Sequence, residues 1–142
     1  MGCDIHMILE RKASIKGQDK WVGIETISSN LVNRNYDFFG ALAGVRRDTD
    51  KSPRGIPEDA SDLSVFKSTE YGEDGHSHSW GTAEEVLLAY ISTSYDKPEE
   101  LQIEALRHSA KAQKTMLERL TGVDTYLDSD VSLYRFVYWF DN

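Results

Sequence analysis

The residues from position 3 to position 11 alternate between apolar and polar side chains, which is typical of a β-strand with one buried face. Apolar residues occupy positions 3, 5, 7 and 9. Successive side chains of a strand point to opposite sides, so Asp4 and His6 are predicted to share the other face. The pattern therefore commits this segment to a sheet and places an acid and an imidazole on the same side of it.

A turn at Gly17 and Asp19 leads into a second predicted strand at residues 20–28, which completes an N-terminal hairpin. Residues 131–140 are rich in Tyr, Phe, Val and Trp and are predicted to form a buried strand beside the first one. Together these segments predict a mostly antiparallel sheet.

Helical patterns lie between these strands. Residues 35–45 have apolar side chains at helical spacing, and Thr82 to Glu85 form a capping box that opens another helix. A longer helix is predicted from about Pro98 to Gly122. Residues 46–75 are punctuated by Pro and Gly and are predicted to be a long functional loop.

The predicted fold class is α+β (α/β) in a single domain spanning residues 1–142. In it, a mostly antiparallel sheet with an N-terminal hairpin and a C-terminal strand is packed by two or three helices. The length and the 39% of hydrophobic residues are sufficient for one core.

The charge and cysteine content exclude several classes of protein. The formal net charge of −8 argues against a general nucleic-acid binder, which needs a basic surface. A single cysteine, Cys3, fits a reducing compartment, and we interpret it as a packed thiol. No segment resembles a signal peptide or a membrane span, so a cytoplasmic location without membrane association is expected.

The strongest chemical signal is the pair of segments that contain Asp4 with His6 and His76 with His78. Residues at i and i+2 of an extended segment can point to one side, so we predict that all four converge on one cleft. Three imidazoles and one carboxylate could bind a divalent metal, zinc or manganese, that activates water. Without a metal, the histidines could act as acid and base while Asp4 orients an imidazole.

A structural interpretation of the same residues stays open. The His76-Ser77-His78 segment could be a polar loop whose hydroxyls satisfy nearby backbone, and Asp4 could pair with an arginine. Arg46 and Arg47 could bind phosphate through their guanidinium groups or could be a solvated helix end. The full set of candidate ligand-binding residues is Tyr36, Arg46, Arg47, Arg54, Ser77, Ser79 and Trp80.

The motifs as a set resemble a family of small, uncharacterised bacteriophage-encoded proteins. The resemblance rests on GCDIH at residues 2–6, on the Arg-Asn-Tyr to Arg-Arg segment at 34–47, on Gly-Ile-Pro at 55–57 and on HSHSW at 76–80. It covers about the first 90 residues and implies a phage protein in the cytoplasm of the infected host. Phage proteins of this size that act on nucleotide immune signals include phosphodiesterases and sponges, so the resemblance implies a counter-defence role.

Three functions are expected from the sequence. The first is an enzyme that cleaves a phosphoester or anhydride in a small nucleotide, such as a cyclic dinucleotide or an ADP-ribose-like signal. The second is a sponge that sequesters the same ligand without cleaving it. The third is an inhibitor that binds a host protein through its acidic surface. Assembly into a homo-oligomer is left open.

Overall fold

The computed structural model describes residues 2–27, 32–93, 103–104, 107–122, 128 and 130–142. Its centre is a four-stranded antiparallel sheet with the strand order β2-β1-β4-β3. The strands are β1 (Asp4–Ile15), β2 (Gln18–Ile27), β3 (Gly75–Thr82) and β4 (Tyr134–Asp141). The helices of eight or more residues in the described part are α1 (Tyr36–Ala43), α2 (Asp62–Glu70), α3 (Ala83–Ser92) and α4 (Ala110–Thr121). The predicted α+β fold with an antiparallel sheet is confirmed.

The N-terminal hairpin forms as the sequence predicted, and the C-terminal strand pairs with the first strand as predicted. Lys16 and Gly17 turn β1 into β2, and both have positive φ angles, of 51° and 77°. β4 pairs with the other edge of β1, so that Asp4 lies opposite Asp141 and Glu10 opposite Arg135. The apolar residues at positions 3, 5, 7 and 9 are all buried.

Capping residues fix the helix ends that the sequence predicted. Asn35 accepts a hydrogen bond from the backbone of α1, and Gly44 ends that helix in the left-handed conformation. Thr82 and Glu85 form the capping box of α3, and Gly122 ends α4. The predicted helix start near Pro98 lies outside the described residues.

The predicted long loop at residues 46–75 is wrong in one part, because it contains α2. Ser61 caps this helix by accepting from the backbone N–H of Ser64. Its large apolar side chains do not form one buried stripe, since Val65 and Phe66 are exposed. Helical periodicity is therefore weak in the sequence, and the helix depends on its cap and on packing against β2.

For the segment that contains His76 and His78, the sequence left open an extended segment or a polar loop. It is the edge strand β3, which pairs with β4 from Gly75 to Thr82. Its sequence has little β-branched content, so local preference does not indicate a strand. Pairing with the strongly apolar β4 overrides that preference.

Both faces of the sheet are covered. The larger core lies between one face and α1, α3 and α4, and it includes Phe38, Val86, Leu117 and Phe136. The other face buries Trp139 and a charged pair beneath α2 and the chain around it. No helix within the described residues combines the length and the apolar character needed to cross a membrane.

Candidate functional site

Three of the four predicted site residues carry imidazoles, and strand pairing brings all four to one end of the sheet. At this end β1 and β3 begin and β4 ends. The register places Asp141 between Asp4 and Gly75, and the pairing of Asp4 with Asp141 joins residues 137 positions apart in sequence. We call this region the sheet end.

The imidazole of His6 is bonded at both ring nitrogens. Its Nε2 lies 3.1 Å from Oδ1 of Asp141, and its Nδ1 lies 3.0 Å from the hydroxyl of Tyr71. A carboxylate can only accept, so in the neutral ring Nε2 carries the proton and Nδ1 accepts from the Tyr71 O–H. The result is a chain of hydrogen bonds from tyrosine through histidine to aspartate.

Trp139 lies at the centre of this face. His6 and His78 both stack on its indole, with ring centroids 6.0 and 6.2 Å away, and Tyr71 packs edge-on at 5.8 Å. The indole N–H is the one buried side-chain polar atom in the described part of the chain that lacks a hydrogen-bond partner. An unsatisfied buried donor of this kind costs about 1–3 kcal/mol and is uncommon in folded proteins.

His78 is the imidazole with open ring nitrogens. Within the described residues no hydrogen bond reaches either nitrogen, although the side chain is half-buried. Burial lowers the pKa of His78, and the nearby His76 acts in the same direction. His78 is therefore neutral at pH 7 and can accept a proton from a bound molecule.

Gly75 lies between Tyr71 and His78. A β-carbon at this position would lie 3.1 Å from Cβ of Tyr71 and 3.5 Å from Nε2 of His78. The two side chains are therefore near neighbours, and glycine leaves the space between them open.

The expectation that His76 and His78 point to one side is wrong. His76 pairs with and stacks on Phe140, whereas His78 stacks on Trp139, and these neighbours in β4 face opposite sides of the sheet. The cause is a bulge at Ser77, whose φ of 56° is left-handed and whose position coincides with a break in the strand register. The bulge removes the alternation on which the prediction depended.

On the face of His76, two donors converge on one oxygen. Nε2 of His76 lies 3.1 Å from Oδ1 of Asn142, and Nη2 of Arg46 lies 3.4 Å from the same atom. The Ser77 hydroxyl bonds Nδ1 of His76 at 2.9 Å. Because the amide oxygen of Asn142 can only accept, Nε2 of His76 donates to it, and in the neutral ring Nδ1 accepts from the Ser77 hydroxyl.

The two predicted phosphate-binding arginines differ in their surroundings. Both guanidinium groups lie over the ring of Tyr36, at 5.5 Å for Arg46 and 5.8 Å for Arg47. Arg47 also bonds Asp37 at 2.9 Å and packs against Gly40, so it is held by its own helix. Arg46 instead extends toward His76.

Asp4 does not orient His6, since Asp141 has that role. Asp4 accepts from Arg34 at 2.8 Å, and this hydrogen bond lowers the pKa of its carboxyl group. The arginine pairing that the sequence left open is thus the observed one for this residue.

The four predicted metal ligands do not form a metal-binding group in this arrangement. Across the described ranges, no three side chains of His, Cys, Asp or Glu gather as they would around an ion. The causes are visible in each residue: Asp4 pairs with Arg34, His6 is bonded twice, and His76 lies on the opposite face from His78.

Three further predicted ligand-binding residues are part of the framework. The hydroxyl of Ser79 is buried and accepts from the backbone N–H of Arg54 at 3.1 Å. The guanidinium of Arg54 covers Trp80 at 4.9 Å and pairs with Glu85. These contacts hold the 53–56 segment against β3 and engage the side chains that were predicted to contact a ligand.

Two grooves in the described part lie away from the histidines of the sheet end. A groove of about 580 Å³ between the 49–54 segment and α3 is lined by Lys51, Arg54 and Glu85 among others, and a smaller one of about 380 Å³ includes Thr82 and Asp130. Neither groove is lined by a histidine, so the sheet end is identified by the chemistry of its side chains.

Sequence reasoning missed the hydrogen bond between Tyr71 and His6, and it missed Trp139, Asp141 and Asn142. The last three could have been found by aligning the predicted strands in antiparallel register, which places Asp141 opposite Asp4. Tyr71 follows α2 in the segment predicted as a loop, and no local signal connects it to His6.

Comparison with protein-family models, with curated proteins and with solved structures found no match to this chain.

Proposed function

We propose that this protein binds a small phosphate-containing nucleotide at the sheet end and cleaves a phosphoester or anhydride bond in it. The observation that carries the proposal is the convergence of Arg46 and His76 on the single amide oxygen of Asn142. Two N–H donors, one of them cationic, aimed at one oxygen form the donor set that a phosphoryl oxygen requires.

Asn142 makes this donor set available to a ligand. Its side chain is exposed, so a phosphate oxygen can replace its amide oxygen without disturbing the core. The replacement exchanges a neutral acceptor for a charged one, which strengthens both hydrogen bonds. The ring of Tyr36 lies beneath both guanidinium groups and attracts them through cation–π interactions. It also adds a surface for stacking.

The cleavage step requires a base, and His78 supplies it. It lies on the other side of the bulge from His76, is neutral near pH 7, and has open nitrogens. A ligand with two phosphate groups, such as a cyclic dinucleotide or an ADP-ribose-like molecule, can place one at Arg46 and extend the other across the edge of β3. General base catalysis of this kind contributes about 10²- to 10⁴-fold in rate.

A sequestering module is the second candidate, and one observation favours it. His6 and His76 each have both ring nitrogens bonded within the protein, as expected for side chains that shape a site and transfer no protons. In either case the protein would remove a nucleotide signal, consistent with a counter-defence role in an infected cell.

One experiment separates the two candidates. Candidate cyclic dinucleotides and ADP-ribose derivatives are incubated with the wild type and with His78→Ala, the protein is denatured, and the nucleotides are analysed by chromatography. We expect turnover of excess ligand by the wild type, cleavage of at most one equivalent of ligand by His78→Ala, and binding by both proteins in titration calorimetry. Intact ligand from a wild type that binds it tightly would replace the enzyme with the sponge.

A further inference from the structure

Tyr71 lies at the sheet end and has no role in the proposed function as described so far. Its hydroxyl donates to His6, and His6 donates to Asp141, at 3.0 and 3.1 Å. Hydrolases of unrelated folds have the same series of groups: a nucleophile is hydrogen-bonded to a base, and a third group is hydrogen-bonded to the base and orients it.

The two hydrogen bonds of His6 determine which atom of the Tyr71, His6 and Asp141 chain can react with a ligand. Both nitrogens of this imidazole are engaged, so His6 cannot itself exchange a proton with a bound molecule. The group at the outer end is the hydroxyl of Tyr71, a half-buried residue whose Cβ lies across the space at Gly75 from Nε2 of His78. The reactive oxygen of this face is therefore the phenolic oxygen.

We propose that Tyr71 is a covalent nucleophile, activated by His6 and Asp141, that attacks a phosphorus centre. This inference deepens the proposed function and rests on it for the identity of the natural substrate. The reaction class is phosphoryl transfer through a tyrosyl ester, and water completes the hydrolysis.

The first step forms the bond between phosphorus and the Tyr71 oxygen. The hydroxyl proton moves to Nδ1 of His6, whose positive charge Asp141 stabilises. The bond from phosphorus to the leaving oxygen breaks, and that oxygen keeps the electron pair and takes a proton from water.

The second step consumes one water molecule. His78 accepts a proton from the water as its oxygen attacks phosphorus, and later releases that proton to solvent. The bond to Tyr71 breaks with its electron pair on the phenolic oxygen, which recovers its proton from His6. Burial raises the pKa of Tyr71, so the proton transfer to His6 must accompany the attack, because little phenolate exists beforehand.

The mechanism makes the tyrosine reactive toward phosphorus electrophiles even when the nucleotide is unknown. An alkyl fluorophosphonate transfers its phosphorus to such a hydroxyl with loss of fluoride, and peptide mass spectrometry locates the adduct. We expect labelling at Tyr71 at least tenfold faster than at Tyr36, whose hydroxyl accepts from the backbone N–H of Cys3 and contacts no histidine.

Variants test whether the hydrogen-bonded chain causes the reactivity. Tyr71→Phe keeps the ring and its packing on Trp139 and should lose the adduct. Asp141→Asn should slow labelling of Tyr71 at least tenfold, because an amide no longer holds His6 in the required tautomer. Unchanged labelling in Asp141→Asn, or equal labelling of Tyr71 and Tyr36 in the wild type, would overturn the inference.

Nucleotide turnover by Tyr71→Phe separates this inference from the proposed function. If the wild type and Tyr71→Phe cleave a nucleotide at equal rates, Tyr71 is not the nucleophile, although the protein is an enzyme. If Tyr71 is labelled selectively while every nucleotide stays intact, the nucleophile is supported and nucleotide cleavage is the part that fails.

Discussion

Arg46 and Arg47 are adjacent in sequence but belong to different parts of the molecule. Arg47 is bound to α1 through Asp37, whereas Arg46 shares the oxygen of Asn142 with His76. Arg46 reaches this position because its backbone adopts a left-handed conformation, with a φ of 62°. At the scale of single residues, the proposed phosphate-binding role therefore belongs to Arg46 and not to Arg47.

Replacing Arg46 by Ala should weaken nucleotide binding by about 1.5–3 kcal/mol, the value of a hydrogen bond to a charged group. The melting temperature should barely change, because the side chain is exposed. The matched control is Arg47→Ala, for which we expect unchanged affinity and a stability loss below about 1 kcal/mol, as for an exposed ion pair. Equal losses of affinity in both variants, measured by calorimetry, would contradict the assignment.

The lowered pKa of His78 predicts how the stability of the folded protein changes with pH. Because folding lowers this pKa below its ordinary value of 6.5, the unfolded chain takes up the proton first as the pH falls. The contribution of His78 to stability is thus fully present above about pH 6.5 and decreases as the pH falls through its folded pKa. Melting curves of His78→Gln between pH 7.5 and 5 should therefore show a smaller loss of stability than those of the wild type.

The control for this measurement is His108→Gln. His108 is 77% exposed beside Glu104 on the helical surface, away from His78. Its replacement should leave the acid-side decline of the melting temperature in place. A decline in His78→Gln that runs parallel to that of the wild type would show that His78 does not cause it.

At the scale of the elements, the bulge in β3 determines what each face of the sheet end contains. A regular strand would place His76 and His78 together over Trp139 and leave Arg46 without its imidazole neighbour. The left-handed residue at the bulge is Ser77, which costs about 1–2 kcal/mol relative to a glycine in this conformation. Its bond to His76 partly offsets that cost.

Substitutions at Ser77 test the bulge directly. Ser77→Gly should change the free energy of unfolding by less than about 1 kcal/mol, because relief of strain offsets the lost hydroxyl. Ser77→Val should lower it by about 1–2 kcal/mol, since a β-branched side chain tolerates the left-handed region poorly. Urea denaturation measures both values, and a valine variant as stable as the glycine variant would argue against a left-handed residue here.

Elements with strong local signals were predictable from the sequence, and those that depend on long-range pairing were not. The signals for the hairpin, for the capping box at Thr82 and for the helix end at Gly122 each lie within a few residues of the structure that they specify. β3 lacks β propensity and exists because β4 is beside it, so no local pattern indicates it. The candidate site follows the same rule, since the Asp4 and His6 face was predictable but the Tyr71 and Asp141 partners require register and tertiary packing.

At the scale of the whole molecule, a buried ion pair joins the sheet to the segment that covers it. Glu10 is fully buried and accepts from Arg135 at 2.6 Å, from the Ser64 hydroxyl at 2.6 Å and from the Ser61 backbone at 2.7 Å. The Arg135 guanidinium also covers Trp21, with its carbon 4.1 Å from the ring centroid. One carboxylate thus connects β1, β4 and the N-terminus of α2.

Glu10→Leu should lower the free energy of unfolding by about 3–5 kcal/mol, the range for breaking a buried ion pair by removing one partner. The change removes the Glu10 acceptor from the Ser61 backbone N–H, from the Ser64 hydroxyl and from the buried Arg135 guanidinium, which retains its hydrogen bonds to Asp59 at 3.0 and 3.2 Å. Asp128→Ala, which breaks the exposed pair with Arg11, should cost less than about 1 kcal/mol. Similar denaturation midpoints for the two variants would show that the buried pair is replaceable by water.

The central position of β4 also determines when the sheet can be completed during synthesis on the ribosome. β1 leaves the ribosome long before residues 134–141 exist, and until then one of its edges and the partner of β3 are missing. Trp139, Asp141 and Asn142 are made only with β4 and the residue that follows it. A nascent chain without β4 therefore lacks the hydrogen-bond partners of His6 and His76, and it must keep an unpaired strand edge from aggregating until translation reaches β4.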